Sequence, residues 1–69
     1  MKNQVKRYRL MAELTQQDLA NKIGATRQTL SLIEKGEYNP SLRLCLAICW
    51  TLNKTLDQLF WIEEEERDE

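Results

Sequence analysis

The sequence has no histidine, two glycines, one proline and two cysteines in 69 residues. Each shortage excludes something. Without histidine the commonest metal ligand and proton shuttle is missing. A zinc site would need two ligands beyond Cys45 and Cys49. No nucleophile motif, phosphate-binding glycine loop or carboxylate constellation is present, so neither an enzyme nor a cofactor is expected. No pocket for a small-molecule ligand is evident. No apolar run approaches the roughly 20 residues of a membrane span. No signal-type apolar stretch follows Met1-Lys2-Asn3-Gln4. These absences point to a soluble, cytoplasmic protein with no membrane partner. Cys45 and Cys49 lie four apart in a strongly helical segment, so they share one helix face. In a reducing compartment they read as small buried apolar residues, not as a disulfide.

What is there is one domain at most. A chain this short buries only about 60% of its unfolded surface, so a lone core is marginal. Local structure or a partner subunit must help. The net charge of -1 hides an asymmetry. Residues 1 to 56 carry nine Lys/Arg against four acids, a net of +5. Residues 57 to 69 carry one Arg against seven acids, a net of -6. A basic body is joined to an acidic end. The division expected is a domain over 1–62 and an acidic tail over 63–69.

Gly24, Gly36 and Pro40 all fall between periodic segments. Five short helices are predicted, with no convincing strand in the body. The first runs from about Asn3 to Ala12, its inner side marked by Val5, Tyr8 and Leu10 or Met11. The second starts after Thr15, which forms a Thr-x-x-Asp capping box with Asp18. Its core stripe is Leu19, Ala20 and Ile23, and Gly24 sits just past its end. The third runs from Arg27 to Lys35, between a Thr26 cap and Gly36. Ser41 caps a fourth over Leu42 to Leu52. Thr55 caps a fifth from Leu56 to about Phe60.

The second and third helices with the short turn between them have helix-turn-helix spacing. On a wheel of about 100° per residue, Leu30, Ile33 and Glu34 share the side of the third helix that faces the body. Gln28, Ser31, Leu32 and Lys35 face outward, with Arg27 on the flank. That outward set suits a DNA groove. Gln can bond adenine bidentately, Arg can bond guanine, and an apolar side chain can touch a thymine methyl. The open N–H groups at the start of the second helix, with the Gln16 amide, could meet a phosphate.

The stretch LTQQDLANKIGATRQTLSLIEKGEYNPSLRLCLAICWTLNKTLDQLF strongly resembles the lambda-repressor/Cro-like helix-turn-helix family, also called the XRE family. The resemblance covers about residues 3 to 60. Its specific parts are LTQQDLA, Gly24, RQT, IEKG, YNPS and LDQLF. It implies an all-α, five-helix lambda-repressor-like domain, and a sequence-specific transcriptional regulator, a repressor, that binds double-stranded DNA. It also implies roles. Arg27 and Gln28 match the leading base-reading pair. Leu32 matches a further base contact that is often polar in the family, and Ser31 faces the same way. Gln16 matches the residue that clasps a phosphate and braces the first recognition residue. Thr29, Lys35 and Asn39 match backbone-contacting positions, with Thr15 and Thr26 beside them at the helix starts. Arg9 and Glu34 match an internal salt bridge. Glu13 departs from the family, standing where glycine is common.

Leu46, Trp50, Phe60, Trp61 and Ile62 exceed what one small core needs. Apolar groups gathered near one end suggest an interface, and the resemblance implies a two-fold homodimer on a palindromic operator. The alternative is that Trp50 and Trp61 merely cover the bottom of the core. FWIEE is read as a possible short strand, paired either with its symmetry mate or with the N-terminus. The tail is read as a solvated end, or as a device that shapes charge on the side away from DNA. The rival function is a protein-interaction module of the same fold, antitoxin-like or coactivator-like.

Overall fold

A computed structural model describes residues 2–61. The order of elements is β1 (Lys2–Asn3), α1 (Val5–Met11), α2 (Gln16–Ile23), α3 (Arg27–Glu34), α4 (Leu42–Leu52), α5 (Leu56–Leu59) and β2 (Phe60–Trp61). The fold is therefore mainly helical, with one two-stranded sheet tying the two ends of the described chain together.

Local signals set the helix ends. Thr15 and Asp18 form a reciprocal capping box, each side chain accepting the other's backbone N–H at 3.0 Å. The Thr15 bonds, its N–H first, hold the Asp18 carboxyl below its ordinary range, helped by Lys22. The cap therefore keeps its charge at neutral pH and weakens as pH falls through that lowered value. Gly24 ends α2 at φ 72°, and an added Cβ there would meet nothing within 4 Å. Backbone conformation, not space, selects glycine at that point. Thr26 and Ser41 cap α3 and α4 through Thr29 N–H and Leu44 N–H. Asn53 closes α4 in the same left-handed region, which Asn tolerates better than most residues.

The core gathers one stripe from each helix. Val5, Leu19, Leu30, Ile33, Ile48 and Leu59 are its largest fully buried side chains. Cys45 and Cys49 are buried beside them, unbridged. Burial raises both thiols above their ordinary range, and the neighbouring Cys49 raises Cys45 further. Both remain protonated at neutral pH. Tyr8 lies 4.8 Å beneath the Lys54 ammonium, which joins α1 to the turn after α4.

Three expectations are corrected. The first helix begins at Val5, because Asn3 belongs to β1 and pairs with Phe60. Leu10 and Met11 lie exposed, so the inner side of α1 is carried by Val5, Tyr8 and Arg9. Phe60, read as an interface residue, is only 9% exposed and packs in the chain's own core. It can do so because the chain turns extended after Leu59 and aims alternate side chains in and out. The FWIEE strand pairs with the N-terminus, Lys2 opposite Trp61. Ile62 and the tail over 63–69 lie outside the described residues.

Glu13 holds φ 60° in the turn after α1. That conformation costs an L-residue about 1–2 kcal/mol, and glycine almost nothing. Part of the gain is lost to glycine's freedom in the unfolded chain. Glu13→Gly is expected to stabilise the fold by about 0.5–1 kcal/mol and raise the melting temperature by about 2–8 °C in calorimetry. A lower melting temperature would contradict the strain.

Candidate nucleic-acid interface

α3 is anchored from below and capped at its start. Leu30 and Ile33 are fully buried, while Arg27, Gln28 and Lys35 are exposed. Thr29, Ser31 and Leu32 are half-buried, so Leu32 offers an edge rather than a whole side chain. The first-turn N–H groups of α3 that the cap does not take point out of its open end. Asn39 is exposed on the loop between α3 and α4.

Arg9 fixes this helix to the rest. Its Nε donates to Glu34 Oε2 at 2.7 Å, and its Nη2 to Glu34 Oε1 at 3.4 Å. Its Nη1 donates to the Leu14 carbonyl at 2.8 Å. Gln16 Nε2 donates to Glu34 Oε1 at 3.0 Å. The two charged side chains are 7% and 3% exposed. The Glu34 charge is thus spent on donors inside the protein, not on the outward face of α3. Gln16 braces Glu34, at the far end of α3 from Arg27; the bond to the first recognition residue implied by family resemblance is replaced by this one.

Beside α3 the ends of α1 and α2 enclose an open cleft of about 630 Å³. Lys6, Thr15, Gln16, Gln17 and Arg27 line it, and Glu13 stands there too. Two exposed cations, a hydroxyl and two amides around a helix N-terminus, with the buried Arg9 behind them, could receive a phosphate oxygen. Lys6 was not legible as a site residue, although it lies three residues before Arg9 on the same face of α1. Asn3 was missed as well. Its Nδ2 donates to the Ile33 carbonyl at 2.8 Å, pinning β1 to the end of α3. Nothing in the periodicity of the chain announces that bond.

A second surface lies on α4, α5 and β2. Leu42, Leu46 and Trp50 form an exposed stripe at four-residue spacing, flanked by Leu56 and Trp61. Trp50 is 89% exposed. A hollow of about 720 Å³ opens beside it over Leu46, Cys49, Lys54 and Leu56. Another of about 500 Å³ lies over Leu42, Cys45, Phe60 and Trp61.

The helix-turn-helix family matches residues 5–59. The chain belongs to the XRE-type helix-turn-helix family. Within it, a Bacillus subtilis protein named as an uncharacterised HTH-type transcriptional regulator, YgzD, is 46% identical over 65 residues, 94% of this chain and 98% of the relative. A Methanocaldococcus jannaschii protein of the same description is 46% identical over 66 residues, 96% of this chain and 100% of the relative. Among solved structures, the N-terminal DNA-binding domain of SinR from Bacillus subtilis superposes with a TM-score of 0.70 at 28% identity, covering 77% of this chain and 78% of that one. The clp gene regulator ClgR from Corynebacterium glutamicum gives 0.73 at 23% identity over 77% of this chain and 56% of its own, a likeness of fold.

Removing one member of a buried ion pair leaves the other charge stranded, at a cost of about 3–5 kcal/mol. Glu34→Ala is therefore expected to lose that much in urea melts, whereas exposed Glu37→Ala stays within about 0.5 kcal/mol of the parent. Equal midpoints for the two variants would remove the bridge from its structural role.

Proposed function

We propose that this helix-turn-helix chain is a sequence-specific DNA-binding transcriptional repressor that acts as a homodimer on a palindromic operator. The observation that carries the reading is the division of α3. Leu30, Ile33 and Glu34 hold the helix to the body, and Arg27, Gln28 and Lys35 are left exposed at the surface that would enter the major groove. Arg27 and Gln28 read base edges, with Ser31 and the half-covered Leu32 beside them. Thr15, Gln16, Thr26, Thr29, Lys35 and Asn39 meet the backbone and set the register. The SinR domain that this chain resembles at 28% identity is itself described as DNA-binding, which supports the same assignment. Occupying a promoter would block polymerase.

The stripe of Leu46, Trp50 and Trp61 supports the dimer. A tryptophan 89% exposed above an apolar hollow is costly in an isolated subunit and useful in a self-complementary interface. Leu42 and Leu56 widen the same face. Two-fold related recognition helices would then meet half-sites about 34–36 Å apart. The same apolar face favours one rival, a module that binds another protein.

Selection of duplexes from a random pool tests the main reading: a palindromic, salt-sensitive consensus is expected. Arg27→Ala and Gln28→Ala should each cost about 1–3 kcal/mol on the selected duplex and relax one position of it, with the melting temperature kept. Parent-like binding by both variants would sink the assignment of α3. A reporter carrying the selected duplex reads whether expression falls. Trp50→Glu is expected to turn dimer into monomer in sedimentation; an unchanged mass would take Trp50 out of the interface.

A further inference from the structure

We infer that Glu13 limits how tightly this protein holds DNA, by placing a carboxylate in the cleft that would otherwise receive a backbone phosphate. The inference rests on the DNA-binding reading above. The cleft has exposed cations at Lys6 and Arg27, the Thr15 hydroxyl, and the amides of Gln16 and Gln17 at the start of α2, while Arg9, which also lines it, is already paired with Glu34. Every one of these attracts an anion. Glu13 is the single acid among the residues that line it.

Two further observations set Glu13 apart from an ordinary solvated acid. Its backbone is held at φ 60°, where glycine or asparagine would sit with less strain. The position therefore carries a conformational cost that no packing offsets, because the side chain is exposed. The other acids near the cleft are spent on structure. Glu34 is bonded to Arg9 and Gln16, and Asp18 closes the α2 cap. Glu13 is the exposed acid left on the lining of the cleft. There it opposes a phosphate at short range, and salt screens the repulsion as it screens the attraction of Lys6 and Arg27. Such a brake weakens binding to every sequence alike. It does not alter which bases are read, because phosphate contacts carry no base information.

The test compares the full-length parent with Glu13→Gln on one selected duplex and one scrambled duplex, by fluorescence anisotropy across a salt series. Glutamine keeps the shape and the backbone strain and removes only the charge. The variant should bind both duplexes about two- to fivefold more tightly at low salt, with the gain shrinking as salt rises. Its melting temperature should stay close to the parent's. Glu13→Gly should give a similar gain in affinity with a raised melting temperature, which separates charge from strain. If the parent binds DNA and Glu13→Gln binds no more tightly at low salt, Glu13 faces no phosphate and the inference is overturned. A gain confined to the selected duplex would also overturn it, since that marks a base-reading role. Failure of the parent and of both variants to bind any duplex would instead bring down the DNA-binding reading, and this role with it.

Discussion

The bonds around Arg9 are the constraint on which the rest of this small protein depends. One guanidinium, rooted on α1, reaches the carboxylate of Glu34 on α3 and the carbonyl of Leu14 in the turn before α2. Gln16, the first residue of α2, reaches the same carboxylate. Four segments are thereby fixed through one charged pair. A pair this buried adds little net stability over an apolar substitute, because both charges must be desolvated. What it adds is direction. An apolar contact between α1 and α3 could slide, whereas a forked guanidinium on a carboxylate has one geometry. That geometry fixes α3 against α1, the Gln16 bond to the same carboxylate ties in the start of α2, and the side chains that face outward from α3 are placed accordingly.

Around that hub, the helices hold through local chemistry more than through core size. Among the described residues no helix exceeds eleven residues, and α5 has four. Helices this short are marginal alone in water. All but α1 have an explicit start or stop in the sequence. The Thr15–Asp18 box, the Thr26 and Ser41 caps, Gly24 and Asn53 occupy the ends where backbone groups would be left unbonded. The two ends of the described chain close the assembly through β1 and β2, where Gln4 N–H also meets the Leu59 carbonyl at 2.9 Å. A strand of two residues contributes little energy by itself. Its effect is to seat Phe60 in the core and to hold Asn3 against the end of α3.

The parts legible in the sequence were those with local causes. The caps, the glycine after α2 and the apolar stripe of α3 could be read directly, because each depends on residues within four positions of one another. The family motif added what periodicity lacks, a pairing of Arg9 with a residue 25 positions away. The strand at Phe60 was legible with two partners open, and only the fold selects the N-terminus over a symmetry mate. The inward turn of Phe60 and the Asn3 bond to Ile33 were not legible, because each joins residues far apart in the chain. Leu10 and Met11 mislead in the opposite way: they continue an apolar pattern on α1 past the point where the body ends. Glu13 was visible as a departure from glycine, but only its φ and its neighbours give that departure a physical meaning.

Acidic residues near α3 and the start of α2 can be sorted by where their charge is spent, not by their number. Glu34 lies on α3 itself, but it is nearly sealed from solvent and accepts bonds from Arg9 and Gln16, so its field outside the protein is close to that of a neutral group. Asp18 stands at the start of α2 beside Lys22 and holds a cap in which its own carboxylate already satisfies the N–H of Thr15. Glu13 is exposed and stands among the residues that line an open cleft. Only the third adds to the potential that an approaching phosphate meets. The same argument applies to the chain as a whole. A total of -1 says nothing about the field at α3 when residues 1 to 56 sum to +5. The sign that matters for association is that of the surface within about a Debye length, roughly 8–10 Å, of the approaching strand.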